Sequence, residues 1–156
     1  KETFMHIPLL YHYAARPDKS SAMLRSVLSK AYSTARNGLP DNEDMGCHSA
    51  FYICGMIGLY PMMGQDWYFL TAPAFTHSEI ALGRTGKRFV ISAPEASPDH
   101  LYIASAKLNG RPLHQAWITH DMITAGAVLA YELSTSPTTW GRSPTPPSPM
   151  SNALID

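Results

Sequence analysis

The sequence predicts an α+β chain in which helices come first and strands follow. Three observations predict it: apolar residues recur at helical spacing up to Tyr60-Pro61, short β-rich runs punctuated by Gly and Pro follow, and Pro, Ser and Thr dominate from Ser136 onward. The organisation expected from these shifts is a helical segment over residues 1–61, a β-rich region over 62–135 and a Pro/Ser-rich tail over 136–156. No internal repeat is visible. A chain of 156 residues, 45% hydrophobic and 15% charged, has the material for a packed core, because about 70% of the unfolded surface can be buried at this size. The low charge implies that much of the surface meets something else, as in a fragment of a larger protein.

The elements follow in order. Over residues 6–15, Ile7, Leu10, Tyr11 and Ala14 share a helical face, and Arg16-Pro17-Asp18 then breaks and restarts the chain. In the second helix Met23/Leu24, Val27/Leu28 and Ala31/Tyr32 repeat every four residues; Asp18 and Ser20 are N-cap candidates, Lys30 and Arg36 suit the negative C-terminal end, and Gly38 and Pro40 stop it. A third helix over residues 48–59 is apolar on nearly every side. Such a helix must be enclosed, which suits the inner wall of a helical barrel. Strands are expected at residues 67–71, 79–82, 88–91, 101–108 and 128–133. Arg84-Thr85-Gly86-Lys87 and Asn109-Gly110 mark sharp turns, the second a strong two-residue hairpin signal. Thr119-His120-Asp121-Met122 opens one helical turn that Gly126 ends, and the tail is expected to be extended, wrapping a neighbour or disordered.

Several function classes drop out. Lys plus Arg equals Asp plus Glu at 12 each, and the longest basic run is Lys87-Arg88, so nothing offers an electrostatic footprint for nucleic acid. No apolar stretch approaches the roughly 20 residues that span a bilayer, so no membrane partner is expected. Cys47 and Cys54 lie two helical turns apart, about 10 Å by helical rise, too far to bridge each other. Residue 1 is Lys with no charged-then-apolar leader behind it, so a signal peptide is expected to have been removed or to belong to an upstream part.

The dense carboxylate cluster is Asp41, Glu43 and Asp44, in a loop closed by Gly46 just before the apolar helix. Two readings stay open on composition: an acidic turn that satisfies the helix dipole, or a catalytic or metal-binding loop carried into a cavity by an inner helix. Cys47 and His48 together are too few for a zinc site. His77, His100, His114 and His120 are scattered without ligand spacing and read as surface residues. Trp67, Trp117 and Trp140 could stack on sugars, but single tryptophans in β-rich regions are more commonly core or interface residues. Ser105 and Ser134 lack a nucleophile-elbow context.

The run Gly38-Leu39-Pro40-Asp41-Asn42-Glu43-Asp44-Met45-Gly46, then Ser49-Ala50-Phe51-Tyr52 and Gly58-Leu59-Tyr60-Pro61, closely resembles the G-L-P-G-N-E-D-x-G, S-A-W-Y and G-x-Y-P signature of glycoside hydrolase family 92. Upstream, Glu2 and His6-Ile7-Pro8-Leu9-Leu10-Tyr11 resemble the family's N-E-P-x-x-H-I-P-Y-L-Y segment; downstream, Leu108-Asn109-Gly110, Trp117-Ile118-Thr119 and residues 141–149 resemble its closing β-region and the proline-rich end of its fungal members. The resemblance implies a calcium-dependent, inverting exo-α-mannosidase, secreted, acting on mannose-containing glycans, and built from a β-sandwich and an (α/α)6 barrel. This chain would then be helices of that barrel followed by the β-rich C-terminal region, a fragment of a larger two-domain enzyme whose partners are the N-terminal β-sandwich and the rest of the barrel.

By the same resemblance Asp44 is the general base that activates water. Glu2, His6 and Asn42 line the sugar site, and Asn42 with Glu43 holds calcium. His6 also admits a plainer role as a core histidine at a helix start. The family's general acid sits in an E-G-N-x-W-Q-Y segment, and these 156 residues contain none. Inversion needs two carboxyl groups about 6.5–9.5 Å apart on opposite faces of the sugar, so the isolated chain is expected to be inactive. Departures from the family pattern are Lys1-Glu2-Thr3 for Asn-Glu-Pro, Asp41 for Gly, and Cys47-His48 where Gln-Met is frequent. The competing reading is a non-catalytic carbohydrate-binding or structural module.

Overall fold

The computed structural model describes residues 5–148. It is mixed α/β, as the α+β reading requires, with the helices leading. A 3-10 helix, Ile7–His12, precedes α1 (Pro17–Ala31) and α2 (Cys47–Ile57). Eight strands follow among the described residues: β1 (Leu59–Pro61), β2 (Trp67–Leu70), β3 (His77–Ala81), β4 (Arg88–Ser92), β5 (Tyr102–Leu108), β6 (Arg111–Leu113), β7 (Trp117–Thr119) and β8 (Ala127–Ser134), with the short α3 (His120–Thr124) before the last. The expected strands all form. The short β1, β6 and β7 had no signal of their own, because three residues are too few to show a period of two.

Two sheets divide the strands. One runs β1-β2-β7 and is antiparallel; the other runs β3-β4-β8-β5-β6, with β4 and β8 parallel and the remaining pairs antiparallel. β5 and β6 are joined by Asn109 and Gly110, both at positive φ (49° and 77°), the geometry that a two-residue hairpin demands.

The three-stranded sheet is a middle layer. Along β2, Trp67 and Phe69 point to the helices, where they meet Leu9, Leu24, Leu28 and Phe51; Tyr68 and Leu70 point to the larger sheet, among Phe89, Ile91, Ile118 and Leu129. Strict alternation with both faces covered explains why the strand reads as an unbroken apolar run. Trp67, Phe69 and Leu70 are essentially inaccessible, each contributing about 1.5–3 kcal/mol of burial.

The helices differ from expectation in three ways. α1 stops at Ala31 rather than near Gly38, because Tyr32 turns extended (φ −118°, ψ 142°) to lay its ring against His48, Phe51 and Tyr52. Residues 33–38 then close on themselves through Ser33 N–H donating to Gly38 O and Gly38 N–H to Ala35 O, both 2.9 Å. Neither N-cap candidate caps α1: Asp18 takes a bidentate ion pair from Arg16 at 2.9 and 2.6 Å, and Ser20 bonds His12. Finally, α2 is not enclosed all round. Phe51 is buried, but Ile53 is 58% exposed.

Gly58 ends α2 at φ +74°, where a Cβ would lie 2.4 Å from Thr71 O, so only glycine lets the helix end drop onto β2. Among the described residues α1 and α2 form a pair and close no ring of helices. Exposed large apolar side chains gather in this half: Ile7, Leu10, Met23, Leu39, Met45, Ile53 and Met63. The tail, as far as residue 148, lies along its own chain: Trp140 Nε1 donates to Leu113 O at 2.8 Å, Trp117 Nε1 to Pro144 O at 3.2 Å, and Tyr13 Oη to Pro147 O at 3.3 Å. The tryptophans are therefore structural in all three cases, Trp67 by packing and the other two by clamping the tail.

His12 ties the layers together. Its Nε2–H donates to Leu70 O at 3.0 Å, and Nδ1 accepts from the Ser20 hydroxyl at 2.8 Å. Burial pushes it down to about 4 from the ordinary 6.5. The unfolded chain therefore binds a proton that the folded chain refuses between those values, and stability must fall as pH drops through this window. We expect His12 to account for a loss of about 3 kcal/mol between pH 6.5 and 4. Urea unfolding of the parent and His12→Gln across that range measures it; equal pH slopes for the two would contradict it.

Candidate active site

The carboxylate loop leads from the α1–α2 connection into the first turn of α2. Asp44, Met45 and Gly46 stand in succession at positive φ (39°, 62° and 87°). An L-residue there costs roughly 1–2 kcal/mol, with Asp among the more tolerant. Strain of this kind persists only where the surroundings impose it. Its effect is to reverse the chain just before the helix, leaving Asn42 and Asp44 exposed and Glu43 half-buried.

Glu43 is the residue that serves the helix. Its Oε1 accepts from Ser49 N–H at 3.1 Å and its carbonyl from Cys47 N–H at 2.9 Å, which places negative charge against the positive end of α2. The two readings of the acidic cluster thus fall on different residues: Glu43 satisfies the helix start, and Asp44 is displayed by it. Asn42 N–H is held by Asp41 Oδ1 at 2.9 Å. The same junction is closed from the residue after α1, where Tyr32 Oη and His48 Nδ1 lie 2.8 Å apart. His48 is 1% exposed. Burial, with smaller contributions from Cys47 and Glu43, pushes the Tyr32 phenol up to about 12. Sequence reasoning missed this pair, because Tyr32 sat in a helical repeat; the available signal was a lone histidine opening an apolar helix.

His6 is exposed at the start of the 3-10 helix. It lines a groove of about 340 Å³ together with Met5, Cys47, Phe51, Tyr60 and Met62. The core-histidine alternative for His6 is therefore not the one realised; His12 and His48 are the buried histidines. Glu2 lies outside the described residues. Cys47 and His48 face different partners, Met5 Sδ at 4.0 Å and Tyr32.

Calcium requires six to eight oxygen ligands. One atom here fits a cation: Glu43 Oε2 is buried without a hydrogen-bond partner. Beyond it, no group of three or more His, Cys, Asp or Glu side chains among the described residues could hold a metal. Asn42 and Glu43 do not make a calcium site by themselves, and most ligands would have to come from elsewhere.

What this arrangement resembles is clear from known proteins. A secreted glycosidase of Arthroderma benhamiae, itself uncharacterized, is 32% identical over 143 residues, covering 89% of this chain and 19% of the relative. A family GH92 α-mannosidase from Bacteroides thetaiotaomicron, solved with mannoimidazole, superposes with a TM-score of 0.86 at 28% identity, over 93% of this chain and 20% of that one. An inverting mannosidase of the same bacterium gives 0.86 at 32% identity, over 95% and 20%. The class they define is glycoside hydrolase. The profile of the Glycosyl hydrolase family 92 catalytic domain matches residues 1–135, and the chain belongs to that family. It spans about a fifth of the length of the relatives it matches.

The division of labour in the loop is testable without substrate. Glu43→Ala should cost about 1 kcal/mol, as loss of a helix-start acceptor does, whereas Asp44→Asn should change stability by less than about 0.5 kcal/mol, because Asn also tolerates positive φ. Denaturant midpoints report both; the reverse order would reassign the helix-supporting role to Asp44.

Proposed function

We propose that this chain is the C-terminal part of a calcium-dependent, inverting exo-α-mannosidase, secreted, that removes mannose from α-mannosides such as those of N-glycans. The observation that carries the reading is the strained backbone at Asp44-Met45-Gly46, which holds an exposed acidic side chain at the start of α2. Family membership, and two mannosidases of similar fold, one of them an α-mannosidase, support the substrate class. In this reading residues up to 61 belong to the barrel wall, and the exposed apolar side chains of that half face the rest of the catalytic domain.

Asp44 accepts a proton from the attacking water on the face of the sugar opposite the departing oxygen. The displaced group takes its proton from an acid contributed by a segment outside this chain. Asn42, His6 and Glu2 orient the sugar hydroxyls. Asn42 and Glu43 would be among the ligands of a bound calcium ion, which would supply positive charge and oxygen coordination to the sugar hydroxyls.

In the intact enzyme containing this segment, Asp44→Asn should lower the rate of mannose release by about 100- to 10,000-fold, the usual share of a general base, with mannose affinity retained. The 156 residues alone should release no mannose with or without calcium. A loss below about tenfold for Asp44→Asn, or turnover by the isolated chain at an ordinary enzyme rate of roughly 1–1000 per second, would contradict the assignment.

A further inference from the structure

We propose that Tyr32 and His48 are positioning residues for the loop that carries Asp44, a polar clamp across the α1–α2 connection; the inference rests on the general-base reading above. Ser33 and Gly38 close the first half of that connection, and Glu43 holds its second half to Ser49 and Cys47. The Tyr32–His48 contact at 2.8 Å joins its two ends, the residue that follows α1 and the first turn of α2. Asp44 lies in the connection between those two ends.

The hydrogen-bond roles are assigned by chemistry. The Tyr32 phenol, pushed up to about 12, keeps its proton and donates it to His48 Nδ1, which leaves the ring proton on Nε2. That N–H is buried without an acceptor, and Glu43 Oε2 is buried without a donor. Each carries a desolvation cost. The pair is therefore an expensive way to fill space, and a methionine at position 48 would fill it without that cost. What the histidine adds is direction: a planar ring fixed by one hydrogen bond sets the first turn of α2 more narrowly than a thioether chain with three rotatable bonds.

The test uses the intact enzyme. Tyr32→Phe and His48→Met should each lower kcat about tenfold, since small displacements of a reacting group cost that much or more, while KM stays within about twofold. His48→Gln, which keeps one donor and one acceptor, should recover most of kcat. The double variant Tyr32→Phe/His48→Met should lose less than the two single losses combined, because neither partner is left unpaired. Unchanged kcat in both single variants would overturn the inference. So would losses that track the folded fraction and are not recovered by His48→Gln, which is the pattern of packing alone. Asp44→Asn in the same assay separates the two claims: if it stays active, the general-base reading falls and takes this inference with it; if it is inactive while the clamp variants are normal, only the clamp falls.

Discussion

The structure depends on a small sheet that is buried on both faces. β2 and its neighbours β1 and β7 give one set of side chains to the helices and the alternate set to the five-stranded sheet. Because the strand period is two, a slip of one residue would exchange Trp67 and Phe69 for Tyr68 and Leu70 and spoil both cores together. His12 and Ser21 reinforce the same layer by bonding backbone groups of Leu70 and Ala72. Helices and sheets are thus not independent units, and the position of α2 is set from below by β1 and β2.

That rigidity is what makes the loop before α2 informative. Gly58 lets the far end of the helix press onto the sheet, so strain at its near end cannot relax by moving the helix. Glu43 and Tyr32 then hold the near end from opposite sides, and the positive-φ residues between them turn Asp44 outward. Acidic charge at a helix start is common and says little. A helix start served by one carboxylate, with the next carboxylate displayed on strained backbone, says more.

The sequence made the helix and strand order readable, and the Asn109-Gly110 hairpin, because these follow from local periods and turn chemistry. The early end of α1 was not readable, since Tyr32 leaves the helix for partners on α2 that only the tertiary fold brings near. Which face of α2 this chain itself covers was not readable for the same kind of reason: an apolar surface looks identical in sequence whether the same chain covers it or a part beyond these residues does. The acidic loop itself was legible through its resemblance to family 92, but the split between Glu43 and Asp44 was not, because it is a matter of which carboxylate meets Ser49 N–H. Tyr32 with His48 left almost no trace, since a contact across the α1–α2 connection has no spacing rule.

The central claim is that this fold displays Asp44 to the reacting carbon of a mannoside. The most direct measurement is a crystal structure of the intact enzyme with mannoimidazole bound. The account predicts a water about 3 Å from the Asp44 carboxylate, aimed at the anomeric position, with a second carboxyl group about 6.5–9.5 Å away across the ring. Asp44 turned away from the bound sugar, with some other carboxylate behind that water, would contradict it.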